Sequence, residues 1–170
     1  YVTTAINYTN GPPHLGHAYE AIVGDCLARY HRTAGRDVFF LTGSDEHGQK
    51  IAETAAARQP PMAPKELCDR YVENFQGLNK SLSISNDAYI RTTDPKHEAL
   101  AKQIWEWVAT SNDIYLGSYE GWYSKREERF LTEVEATAMG YMDGTVPLTK
   151  TKEPSYFFRM SRYQEALVGH

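Results

Sequence analysis

Tyr1-Val2-Thr3-Thr4-Ala5-Ile6-Asn7-Tyr8-Thr9-Asn10-Gly11-Pro12-Pro13-His14-Leu15-Gly16-His17 opens the chain, and its reading decides the fold. Tyr1 to Ile6 is short, β-branched and aromatic, the composition of a buried strand. Asn10-Gly11-Pro12-Pro13 must break it, because prolines join neither a sheet ladder nor a helix interior. Beyond the break, Leu15, Ala18, Tyr19, Ile22, Val23, Cys26, Leu27 and Tyr30 recur at alternating steps of three and one. That spacing lays a continuous apolar stripe along a helix, and Gly35 is placed to end it as the C′ residue.

Working outward, Asp37-Val38-Phe39-Phe40-Leu41-Thr42 is a second apolar run of the kind found in parallel strands covered on both faces. Strand, helix and strand in this order predict a right-handed βαβ unit. In open α/β sheets, ligands bind outside the carboxyl ends of the strands. Those ends here carry Ile6 to His17 and Gly43-Ser44-Asp45-Glu46-His47-Gly48. Pro60, Pro61 and Pro64 are expected to close the following helix, and a further one is expected from about Lys65 to Leu82, with Leu67, Tyr71, Phe75 and Leu78 inward. Asp94-Pro95 reads as an N-cap and N1 proline before a helix carrying Leu100, Ile104, Trp107 and Val108. From Asp113 the character changes: Ile114 to Tyr123 is strand-like, residues 126 to 154 read as polar and irregular, and Ser155-Tyr156-Phe157-Phe158 reads as a strand leaving an inserted lobe. Ser161 is the expected cap of a terminal helix.

Composition sets the outer limits. The 170 residues are 41% hydrophobic and 24% charged, with net charge −4, within the ordinary globular range. A run of 18 apolar residues is absent, which excludes a membrane-spanning helix. The acidic balance gives no basic face, and Lys125-Arg126 and Lys150-Thr151-Lys152 read as solvated surface rather than a phosphate track. Cys26 and Cys68, each alone in a helical pattern, form neither a disulfide framework nor a metal knot and read as core residues of a reducing compartment. The chain starts inside a strand-like run with neither an initiator Met nor a signal sequence, and reads as a fragment.

The chemistry gathers at Pro13-His14-Leu15-Gly16-His17. Two imidazoles three residues apart at a helix start share a face with unpaired N–H groups and the positive dipole end, an arrangement suited to phosphate. Gly16 removes the Cβ that would keep a flat base off the backbone. Incidental capping by His14 and a surface role for His17 is the plainer alternative for an isolated pair. Zinc fits poorly, since further ligands are missing nearby.

His14-Leu15-Gly16-His17 resembles the "HIGH" signature of class I aminoacyl-tRNA synthetases. Ala5 to Glu20, Phe39 to Lys50, Ile90-Arg91-Thr92-Thr93-Asp94, Gly121-Trp122-Tyr123-Ser124 and Tyr156-Phe157-Phe158 resemble successive blocks of bacterial and organellar methionyl-tRNA synthetases, in family order and over essentially the whole chain. The resemblance implies an α/β, Rossmann-like parallel sheet with flanking helices, the first half of the class I catalytic domain, plus an inserted connective-peptide lobe. It places the first half at residues 1–115, the insertion at 116–155, and the return into the catalytic domain at 156–170.

It further implies methionine activation by ATP with Mg2+, then acyl transfer to tRNA(Met), in the cytoplasm or in an organelle if a leader is removed. By position, His14 and His17 hold the phosphates and the transition state, and Gly16 lies under the adenine. Tyr8 and Asn10 complete the ATP site. Ala5, Ile6, Tyr8 and Asp45 contact methionine, with Asp45 on its ammonium group. Taken alone, Asp45 reads first as a structural cap of the helix that follows. Glu46 and His47 receive no role, though His47 could brace the loop.

Departures from the pattern are few. Many relatives have proline where this chain has Ala5, and proline or tyrosine in place of Asn7. Ser124 and Glu127 occupy positions where zinc-binding relatives carry cysteines, and without those thiolates no zinc is expected. The lysine-rich second signature, the rest of the methionine pocket and the anticodon-reading domain fall outside these residues, so this stretch by itself is expected to be inactive. A small nucleotidylyltransferase, a sister synthetase, or a binding module without catalysis are the competing readings. The later blocks argue against the first, Gly43 to Gly48 against the second, and intact His14, Gly16, His17 and Asp45 against the third.

Overall fold

The computed structural model of the chain describes residues 1–124, 129–138 and 148–170. They form two compact units, Tyr1–Lys102 and Gln103–His170.

The first unit contains β1 (Val2–Tyr8), α1 (Leu15–Thr33), β2 (Phe40–Asp45), α2 (Gln49–Ala56), α3 (Pro64–Ser81) and β3 (Ala88–Arg91). Its strands are parallel in the order β1-β2-β3, so the expected α/β, Rossmann-like sheet is present. Pro64 starts α3 as an N-terminal proline instead of closing α2. As the central strand, β2 buries Phe40, Thr42, Gly43 and Ser44, and it begins at Phe40 rather than Asp37. A side chain on Gly43 is ruled out: an added Cβ would lie 2.2 Å from the Ile90 carbonyl oxygen of β3. The expectation that Tyr1 to Ile6 is a buried strand is corrected. β1 lies at the sheet edge among the described residues, and Tyr1, Ile6 and Tyr8 are exposed.

α1 ends as its sequence requires. Gly35 has φ +76°, Gly35 N donates to Arg32 O and Arg36 N to His31 O, the paired bonds of a Schellman motif. Its buried face is a surprise. Gly24, Asp25 and Ala28 are the buried positions, whereas Leu15, Tyr19, Ile22, Val23, Cys26, Leu27 and Tyr30 are exposed. The cause is close approach: a Cβ on Gly24 would meet Phe40 and Thr4 at 3.0–3.1 Å, so the small-residue side of the helix takes the sheet. Cys26 is therefore not a core residue. Cys68 is, packing with Ile51, Ala55, Leu67, Tyr71 and Phe75.

α4 (Pro95–Thr110) starts at the expected proline but buries none of its residues, and Leu100, Ile104 and Trp107 are exposed. The Asp94 side chain accepts from Arg91 N at 3.2 Å, holding the turn before the helix.

The second unit is an antiparallel sheet of β4 (Ile114–Ser124), β5 (Arg129–Leu131) and β6 (Leu148–Phe158), in the order β5-β4-β6, with α5 (Glu133–Ala138). The irregular stretch expected over 126–154 is thus corrected at 129–131, 133–138 and 148–154. Pairing of β4 with β6 from Ile114↔Phe158 to Ser124↔Leu148 satisfies the backbone of these polar residues, which composition alone does not foresee. Pro154 is tolerated because β6 is an edge strand among the described residues. A 3-10 turn, Met160–Tyr163, and α6 (Gln164–Val168) follow. Ser161 sits inside that turn and Tyr163 occupies the N-cap, contrary to expectation. Fully buried Asp113 locks this end, accepting from Arg162 Nη1 at 2.9 Å and Tyr163 Oη at 2.5 Å. Ser124 is buried; Lys125, Arg126 and Glu127 lie outside the described residues. Among the described residues, no helix is long and apolar enough to cross a membrane.

Candidate active site

His14 is the N-cap of α1 and His17 its N3 residue. Each ring folds back onto the helix start: Gly16 N donates to His14 Nδ1, and His14 N donates to His17 Nδ1, both at 3.1 Å. The result is a capping box in which imidazoles take the place of the usual hydroxyl and carboxamide. A backbone N–H can only donate, so both Nδ1 atoms are acceptors. In the neutral rings the proton therefore sits on Nε2, which makes that atom the donor of each. The rings stack with centroids 3.8 Å apart, and the edge of His17 meets Phe75 of α3 at 5.0 Å. Burial, and then the neighbouring His14, lower the His17 pKa, with Glu20 opposing them. Such a ring is a neutral Nε2–H donor at physiological pH. Gly16 has an internal reason to be glycine, since a Cβ there would lie 2.9 Å from His14 Cε1.

The end of β2 pairs with the end of β1, the strand that precedes this helix. Tyr8 pairs with Asp45, Asn7 with Ser44 and Ile6 with Gly43, and Thr9 N donates to Asp45 O at 3.3 Å. The β1–α1 and β2–α2 loops thus leave the same edge of the sheet. Asp45 is half-buried, and among the described residues its carboxylate accepts only from His47 N, at 3.4 Å. His47 also places Nε2 3.4 Å from Thr92 O, which braces the turn.

The predicted site residues separate into clear groups. His14, Gly16 and His17 form one unit, and Tyr8 and Asp45 are neighbours across adjacent strands. Asn10 is exposed in the turn after β1, and Ile6 and Tyr8 are exposed on the edge strand. The Ala5 amide is already engaged, donating to Glu20 Oε1 at 2.8 Å. Among the described residues no hydrogen bond or ring contact joins Asp45 to either histidine. A small cavity between sheet and helices touches Thr4, Asn7, His17, Glu20, Thr42 and Tyr89.

Sequence reasoning missed the fastening behind Asp45. Glu46, the next residue, has a fully buried side chain that accepts from Arg91 Nε at 2.6 Å and Nη2 at 2.9 Å, Thr93 Oγ1 at 2.6 Å and Ser44 Oγ at 2.7 Å. Arg91 also reaches Asp69 at 2.5 Å. Thr9, fully buried, bonds to Cys68 Sγ at 3.0 Å. The signal lies in the Ile90-to-Asp94 block, whose resemblance to the family carries no role for Arg91 or Thr93.

A parallel sheet whose first crossover helix begins with two backbone-anchored imidazoles belongs to the class of open α/β domains, in which ligands bind outside the carboxyl ends of the strands. The particular family follows from comparison: the model for tRNA synthetases class I (M) matches residues 1–153, and the chain belongs to that family. It is 45% identical over 174 residues to methionine–tRNA ligase of Rhizobium meliloti (strain 1021), covering 100% of this chain and 33% of that protein. Identity to the methionine–tRNA ligase of Mycobacterium bovis is 48% over 175 residues, again 100% and 33%. The crystal structure of Mycobacterium tuberculosis methionyl-tRNA synthetase bound by methionyl-adenylate superposes with a TM-score of 0.90 at 45% identity, over 100% of this chain and 34% of that one. The chain therefore spans about a third of the length of the curated relatives it matches.

Proposed function

We propose that the protein carrying this chain is a methionine–tRNA ligase: it activates L-methionine with ATP and passes the methionyl group to the 3′ end of tRNA(Met). A methionine carboxylate oxygen attacks the α-phosphorus of ATP, and the bond to the bridging oxygen breaks. Pyrophosphate leaves with the electron pair. The terminal hydroxyl of the tRNA then attacks the methionyl carbonyl, and AMP departs. This chemistry needs positioned charge and donors more than a nucleophilic side chain.

The supporting observation is the pair of Nε2–H donors fixed at the start of α1, on the same sheet edge as a half-buried Asp45 carboxylate with one weak contact. In this reading His14 and His17 donate to the phosphates, and Gly16 with Tyr8 and Asn10 completes the ATP site. Asp45 takes the methionine ammonium, flanked by Ala5, Ile6 and Tyr8. That a relative's structure holds methionyl-adenylate supports the same assignment. Mg2+ is expected to arrive with the ATP phosphates, which this ion favours over an all-protein cage. Ser124 and Glu127 in place of thiolates favour a connective lobe without zinc.

Residues 1–115 serve as the first half of the catalytic domain, 116–155 as the connective-peptide insertion, and 156–170 as the return. The net charge of −4 leaves most tRNA contact to other parts of the protein. Bacterial relatives favour a cytoplasmic enzyme, or an organellar one if a leader is removed.

Two experiments test this. In the full-length protein, Asp45→Ala is expected to raise the methionine KM about 10- to 150-fold, the worth of a charge-assisted bond of about 1.5–3 kcal/mol, with the ATP KM little changed. An unchanged methionine KM removes Asp45 from the pocket, and a preference for another amino acid in the same pyrophosphate-exchange assay refutes the substrate. The 170-residue chain alone is expected to give no methionine-dependent exchange; measurable turnover would show that its residues suffice.

A further inference from the structure

We infer that Glu46 is a positioning residue for methionine recognition, which together with Arg91 locks the turn that presents Asp45; the inference rests on the ammonium role proposed for Asp45. Two adjacent carboxylates stand at the end of β2, and the structure gives them opposite circumstances. A carboxylate has about four acceptor sites. Glu46 has all of them filled: Oε1 by Ser44 Oγ and Arg91 Nε, Oε2 by Arg91 Nη2 and Thr93 Oγ1. With its side chain fully buried and no acceptor left, it cannot take a ligand. Among the described residues, Asp45 carries a single weak contact, from His47 N, and stays available.

The backbone between these side chains is held from several directions. Thr92 N donates to Ser44 O at 3.2 Å, and Glu46 N donates to Thr92 Oγ1 at 2.9 Å, tying the turn to the end of β3. Thr9 N holds Asp45 O from the end of β1, and Cys68 Sγ lies 3.8 Å from Glu46 O on α3. The bidentate guanidinium adds what hydroxyls cannot, since a planar fork fixes the orientation of the carboxylate it grips. An apolar replacement for a buried ion pair is often as stable. A bidentate pair one residue from the proposed ammonium ligand is suited to fixing geometry. Arg91 also neutralises the second carboxylate, so the arriving ammonium meets one free acceptor.

The test compares KM values for methionine and ATP in pyrophosphate exchange by the full-length protein, with Asp45→Ala as reference. Glu46→Gln keeps the shape but places an amide N–H where one Arg91 or Thr93 donor now points. It is expected to raise the methionine KM at least tenfold with the ATP KM within twofold, because displacement of a ligand by about 1 Å can cost about 100-fold. If Asp45→Ala raises the methionine KM but folded Glu46→Gln leaves it within twofold, the positioning role is wrong and the reading of Asp45 stands. Equal rises in both KM values would show a merely structural role and also overturn it. If Asp45→Ala itself has no effect, the ammonium assignment falls and this inference with it. Should Glu46→Gln fail to fold, Thr93→Val decides, because it removes one donor and keeps the ion pair: about a threefold rise confined to methionine supports the lock, and no change overturns it.

Discussion

His17→Ala is expected to slow methionyl-adenylate formation by about 100- to 1,000-fold, as loss of one transition-state donor worth about 2.7–4 kcal/mol would do, while the methionine KM moves little. The size follows from what the ring does. Its Nδ1 is occupied by His14 N, so the group proposed to meet the nucleotide is Nε2–H, a donor on a ring packed against His14 and Phe75. Alanine removes that donor and the N3 half of the capping box together. His17→Gln separates the two losses. Glutamine is an ordinary capping-box residue at N3, so it can accept from the N-cap amide and restore helix stability. Its side chain spends that acceptor on the cap and lacks the rigid second nitrogen, so the rate should stay near that of the alanine variant. Pre-steady-state adenylate formation, set beside the melting temperature, reads both. Recovery of the rate with Gln would mean that His17 acts through the cap alone.

The βαβ unit was legible because its signals are local. Gly35 ends α1 with the Schellman bonds its position implied, and His14-Leu15-Gly16-His17 falls at the helix start where the prolines required it. The buried strand β2 and the inward residues of α3 were legible for the same reason. What periodicity could not reveal was which side of α1 meets the sheet. The apolar stripe is real, but the backbone approach at Gly24 is a property of two elements together, and it puts Leu15 and Tyr19 outside. In the second unit Ile114 to Tyr123 and Ser155 to Phe158 were legible as strand, whereas the polar stretch between them was not, since the order of 148–154 comes from pairing with β4 more than twenty residues upstream. At the site, Asp45 could be named from its place in a motif. Glu46 could not, because Arg91 and Thr93, which define its task, lie 45 and 47 positions away.

Removing Arg91 makes the strongest demand on this picture. Burial alone would raise the Glu46 carboxyl above its usual range, but hydrogen bonds from Arg91, Thr93 and Ser44, together with the Arg91 charge, reverse this and hold it below. A carboxyl lowered by folding stabilises the fold at pH values above its unfolded pKa, about 4.3, and loses that contribution as pH falls through the folded value. Arg91→Ala deletes the main lowering influence and leaves a fully buried carboxylate with two hydroxyl donors. Its folded pKa should then rise, so the variant is least stable at neutral and alkaline pH and regains ground near pH 5. About 3 kcal/mol is expected at pH 8, the lower end of the range for stripping one partner from a buried pair, because the Arg91 side chain keeps 20% of its exposure. Guanidinium unfolding of the full-length protein at pH 5 and pH 8 measures the difference. The double variant Arg91→Ala with Glu46→Gln should recover much of the loss, since no unpaired charge stays buried. Its methionine KM should nevertheless remain high, because the bidentate grip on the side chain beside Asp45 is then gone and only single hydrogen bonds hold the turn. Stability restored together with methionine affinity would mean that the ion pair holds the fold without aiming the ligand.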